Sequence, residues 1–70
     1  MSFNDLITQH INGDFPIIED VIVYRAFDAT SAHVTICGAY GKPLADQDIS
    51  DAELDALTED LNECNFYFTE

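Results

Sequence analysis

Asp46, Asp48 and Ser50 stand at alternate positions in ADQDISDAELDALTEDLNEC, residues 45–64. That is the 1-3-5 spacing with which an EF-hand presents its first oxygen ligands to calcium. The rest of the loop does not follow. Its sixth position needs Gly for a sharp turn and holds Asp51, and its twelfth needs a bidentate Glu and holds Leu57. Zinc is no better served. His10, His33, Cys37 and Cys64 are the possible donors, and no C-x-x-C pair exists. His33 and Cys37 share a face of one predicted strand about 13 Å apart, too far to meet on one ion. Neither cysteine has the positive neighbours that generate a thiolate. There is no Gly-rich phosphate loop and no G-x-S-x-G elbow. Solvated carboxylates are not general acids, because that role needs a pKa raised by burial or by a tight like-charge pair. The expectation is a protein with no catalytic residues, no metal and no cofactor, and hence no enzyme.

What remains is charge. Asp46, Asp48, Asp51, Glu53, Asp55, Glu59, Asp60 and Glu63 fall within residues 46–63 with no Lys or Arg among them. Across 70 residues, 14 acids face two bases, Arg25 and Lys42, for a net charge of -12. Such a field repels nucleic acid and anionic membranes, and its natural complement is a basic protein surface. Self-repulsion also favours a monomer over a homodimer. Hydrophobic residues make up 47% of the chain, enough for a core and against compositional disorder.

The elements that must carry these groups follow from pattern. The length fits one compact domain, residues 1–70. Ser2 caps a predicted helix over about residues 3–12, with Asp5 three positions on and Asn12-Gly13 as its stop. DFPIIED reads as an extended connector. DVIVYRAF (20–27) and HVTICGAY (33–40) read as strands joined by the turn DATSA (28–32), with Val34, Ile36 and Tyr40 on one face. GKPLADQDI, with Gly41 and Pro43, reads as a loop. Ser50 and Glu53 open a second helix, and NFYFTE closes the chain as a strand. The predicted fold is α+β in the order α-β-β-α-β. Its sheet is three-stranded and antiparallel, in order 2-1-3, with both helices on one face. The aromatics Tyr24, Tyr40, Phe66, Tyr67 and Phe68 are expected mainly inside, where a small domain needs them. No apolar run approaches the ~18 residues of a membrane span. MSFNDLITQH lacks the apolar centre of a signal peptide, so a cytoplasmic protein with reduced thiols is expected.

On the second helix each residue turns about 100°. Leu54, Leu57, Leu61 and Cys64 then share one apolar arc, Asp51, Asp55, Glu59 and Glu63 form a row nearly opposite, and Glu53 and Asp60 flank the apolar arc on its other side. Like charges at i,i+4 cost a helix about 0.2–0.5 kcal/mol per pair, and no base on the helix relieves them. Successive carboxylates of the row rise about 6 Å along the axis. That is of the order of the spacing between phosphates along one nucleic-acid strand. Asp46 and Asp48 are expected to extend the row.

A small α+β scaffold carrying such acids resembles the acidic DNA mimics that phages and mobile elements use against host defences, anti-CRISPR proteins among them. The resemblance lies in size, charge and organisation. It implies a stoichiometric inhibitor whose partner-binding residues are Asp46, Asp48, Asp51, Glu53, Asp55, Glu59, Asp60 and Glu63. The partner would be the basic DNA-binding groove of a CRISPR effector, of Cascade type, inside a bacterial host cell. Acyl carrier proteins do not fit, because DISDAEL stands where their D-S-L serine is needed. The alternative is a non-enzymatic interaction or assembly module that binds through its aromatic sheet or an edge strand.

Overall fold

The structure, a computed structural model, describes residues 2–26 and 29–69. Phe27 and Asp28, expected at the end of the first strand and in the turn, and Glu70, expected to close the last strand, lie outside the described residues. Helix α1 spans Phe3–Ile11. The Ser2 hydroxyl accepts from the Asp5 amide at 3.2 Å, which satisfies one of the free amides of the first turn. The helix ends in a Schellman motif: the Gly13 amide donates to the His10 carbonyl at 3.0 Å and the Asp14 amide to Gln9 at 2.8 Å. Gly13 takes φ +80°, which glycine adopts at no steric cost.

Four strands form one sheet: β1 Asp20–Tyr24, β2 Ser31–Cys37, β3 Pro43–Ser50 and β4 Asn65–Thr69. Their order is β3-β2-β1-β4. β2 is antiparallel to both β1 and β3, whereas β4 is parallel to β1. The sheet is therefore mixed and four-stranded, not the expected three-stranded antiparallel one. GKPLADQDI is the source of the difference: most of it is β3 and not a loop. Pro43 is tolerated because it is the first residue of an edge strand. Asp, Gln and Ala are weak strand formers, so the segment carries little intrinsic signal. Leu44, Ala45 and Ile49 nevertheless pack against the core, while Asp46, Gln47 and Asp48 are exposed. One extra strand also reverses the chain direction. Helix α2, Asp51–Asp60, leaves from β3, which runs with β1, so the strand that follows comes back parallel to β1.

Val21, Val23, Ala32, Val34, Ile36 and Ile49 of the sheet meet Phe3 and Leu6 of α1 and Leu57 and Leu61 of the α2 region in one core. Both helices thus cover the same face. The opposite face, with Ile22, Tyr24, His33 and Tyr67, carries no second layer among the described residues. This overturns the expected burial of the aromatics. Phe66 packs against the core, but Tyr24 is 46% exposed, Tyr67 52% and Phe68 66%. Period-two alternation places Tyr24 and Tyr67 on the open face. Phe68 stacks on Phe66 with ring centroids 6.1 Å apart, on an edge strand that the helices leave exposed. Tyr40 does not continue β2. It lies in the β2–β3 turn at φ 61°, ψ 25°, followed by Gly41 at φ +72°, and the Lys42 amide donates to the Ala39 carbonyl at 3.3 Å. These are the angles of a type I′ hairpin turn. Among the described residues no helix is long and apolar enough to cross a membrane.

Candidate functional site

Ser50 ends β3 and starts α2. Its hydroxyl accepts from the Glu53 amide at 3.2 Å, and the Glu53 carboxylate accepts from the Ser50 amide at 3.2 Å. This closes the capping box, so Glu53 has a structural task. Leu57 and Leu61 are buried, and Leu54 and Cys64 are half-buried. Anchored in this phase, the helix turns Asp55 and Glu59 outward, and both are exposed. The helix ends at Asp60, so Glu63 lies in the following turn and makes no helical i,i+4 pair with Glu59.

The bases missing from α2 are supplied by the sheet. Arg25, just after β1, forms an ion pair with Asp51. His33 on β2 lies between two carboxylates of β3: Nδ1 is 2.7 Å from Asp48 Oδ1, and Nε2 is 2.9 Å from Asp46 Oδ2. Asp46 and Asp48 thus belong to the open sheet face and do not prolong the helical row. The eight acids separate into groups. Asp46, Asp48 and Asp51 have cationic or titratable partners, and Glu53 caps. Asp55, Glu59, Asp60 and Glu63 have no ion-pair partner among the described residues. Of these eight acids, the uncompensated ones run from the middle of α2 to the turn after it. There the helix dipole adds to the negative potential instead of relieving it.

The other candidate groups have local explanations. His33 turns a different ring nitrogen to each aspartate, so the three cannot meet at one point. Among the described residues no group of three or more His, Cys, Asp or Glu converges as a metal site would require. His10 Nδ1 accepts from the Ile18 amide at 3.0 Å and fixes the entry to β1. The Cys64 thiol donates to the Ile18 carbonyl at 3.2 Å. Burial raises the Cys37 and Cys64 thiols above their usual pKa, with Asp20 adding to both and Glu63 to Cys64, so neither is an activated nucleophile. The parts that local sequence did not show are Arg25 and His33 as neutralising groups. His33 meets Asp46 and Asp48 only through the pairing of β2 with β3, which local sequence does not signal. Nothing local points to Arg25, whose partner is 26 positions away.

The His33 pair gives a pH prediction. Hydrogen bonds to Asp48 and then Asp46 raise its pKa above the usual 6.5. A folded pKa above the unfolded one contributes stability that is complete below about 6.5 and lost as pH rises through the folded value. The melting temperature of the wild type is therefore expected to fall as pH rises above about 6.5 and through the folded value, a window in which an unpaired histidine is already mostly neutral. His33→Ala should flatten that slope, and an NMR titration should give His33 a midpoint above 6.5.

Comparison with protein-family models, with curated proteins and with solved structures found no match.

Proposed function

We propose that the protein is a non-enzymatic, stoichiometric inhibitor that imitates a short piece of nucleic-acid backbone and occupies a basic DNA-binding groove. The observation that carries this reading is the exposed, uncompensated group Asp55, Glu59, Asp60 and Glu63, held beside the buried anchors Leu57 and Leu61. Carboxylates presented from a packed helix lose little freedom on binding, and a groove of Lys and Arg gains charge-assisted hydrogen bonds from them. The resemblance to anti-CRISPR proteins makes a Cascade-type effector the target class to test first. Asp51 lies on the same helix at its neutralised end, so it contributes less than the four unpaired acids.

A second reading is favoured by the open sheet face, where Ile22, Tyr24 and Tyr67 are exposed together. It is an assembly module that binds a partner through these side chains. Salt separates the two. Binding of the effector through the helix should weaken steeply as sodium chloride is raised from about 0.05 to 0.5 M, since surface charges are screened over that range. An affinity nearly independent of salt would reject the mimic in favour of the sheet.

A further inference from the structure

Two aromatic side chains near the start of the sheet are left almost wholly in solvent. Tyr40 is 105% exposed and Phe15 is 86% exposed. Tyr40 also occupies the first central position of the type I′ turn, where φ is positive and Asn, Asp or Gly are the residues that fit without strain. A tyrosine there strains the backbone and gains no packing among the described residues. Local rules broken without compensation are expected where a protein meets something else. Phe15 and Tyr40 line one apolar groove of about 530 Å³, together with Pro16, Ile17, Ala39 and Leu44. Its charged residues are Lys42 and Glu19, one of each sign, so the patch is neutral on a chain of net charge -12.

We propose that this groove is where two copies of the chain associate about a two-fold axis. A two-fold contact uses the same patch twice, so the patch must be its own complement. The patch offers both halves that such a contact needs, since it carries exposed aromatic rings and the apolar groove they border. It is also complementary to itself in charge, since Lys42 of one copy meets Glu19 of the other and the reverse. Nucleic acid and anionic lipid are repelled by the rest of the surface. Aromatic anchors in a pocket supply the binding, and the acidic remainder of both copies opposes it. Association therefore strengthens with salt, opposite in sign to the behaviour proposed for the acidic helix.

Sedimentation equilibrium of the full chain tests this at about 0.05 and 0.5 M sodium chloride, a range that screens surface charge. A dimer population that grows with protein concentration and with salt is expected. Tyr40→Asn should weaken dimerisation roughly tenfold or more, as loss of an interface anchor does. Measured at a protein concentration where the wild type is monomeric, its thermal midpoint should be unchanged or raised, because asparagine relieves the turn. Lys42→Glu should also dissociate the dimer, and adding Glu19→Lys should restore it. A chain monomeric at all concentrations and both salts would overturn the proposal. So would a Tyr40→Asn variant that dimerises like the wild type, or a charge swap that fails to restore association. If the chain stays monomeric and Tyr40→Asn instead loses affinity for the effector, the groove belongs to that partner and self-association is equally overturned.

Discussion

Leu61→Ala is expected to remove about 2–5 kcal/mol of folding stability, the range for emptying a well-packed leucine site. Leu61 is fully buried at the C-cap of α2, and its amide donates to the Leu57 carbonyl at 2.9 Å. It belongs to the core cluster that joins both helices to the sheet, so the cavity would open beneath the helix that carries the acids. Native domains hold only about 0.05–0.15 kcal/mol per residue, roughly 4–10 kcal/mol for this length. The loss is thus a large share of the whole, and at the upper end a substantial unfolded fraction appears without denaturant. Urea unfolding followed by circular dichroism measures it. Leu61→Met, which keeps the volume, should cost less than about 1.5 kcal/mol. An alanine variant within 1 kcal/mol of wild type, on the order of a surface substitution, would show that Leu61 does not anchor the helix.

The second large effect is on binding, and its sign for stability is opposite. Asp55→Lys with Glu59→Lys changes the net charge by four units, from -12 to -8. Both positions are exposed and neither side chain contributes to the core. A lysine at 55 lies four residues from Asp51, an i,i+4 pair of opposite sign worth about 0.2–0.5 kcal/mol. A lysine at 59 lies in the last turn of α2, where the helix dipole favours a cation. The variant is therefore expected to melt no lower than the wild type. Against a basic groove, the same two changes turn attraction into repulsion. Close interfacial charge pairs are worth about 1.5 kcal/mol or more each, so affinity should fall by roughly a hundredfold or more. Gain of stability with loss of binding is the pattern of a surface kept for function at a cost to the fold.

The parts of this molecule written in local code were legible in its sequence. Ser2 and Ser50 cap their helices through hydrogen bonds that span three residues, and the phase of Leu57 and Leu61 follows from the turn of a helix. Gly13 stops α1 as its position suggests. Strand β3 was hidden because pairing with β2, and not its own propensity, makes it a strand. That one omission changed the strand count and reversed the direction of β4. The exposure of Tyr24, Tyr67 and Phe68 was hidden for a related reason. Aromatic content alone does not say which face of a sheet the helices cover. Of the candidate site, the outward turn of Asp55 and Glu59 could be read from the wheel. The neutralisation of Asp51 by Arg25 and the bridging of Asp46 and Asp48 by His33 depend on tertiary contacts.

The most direct test of the central claim is a competition between this protein and duplex DNA for a purified Cascade-type effector, followed by the fluorescence anisotropy of labelled DNA. The acidic turn and helix end, Asp55 to Glu63, should displace the DNA at near-stoichiometric protein in low salt. The Asp55→Lys, Glu59→Lys protein, folded to the same degree, should leave the DNA bound. If wild type and double variant displace DNA equally well, or if the wild type displaces none at any concentration, the helix is not a mimic of nucleic acid for this target.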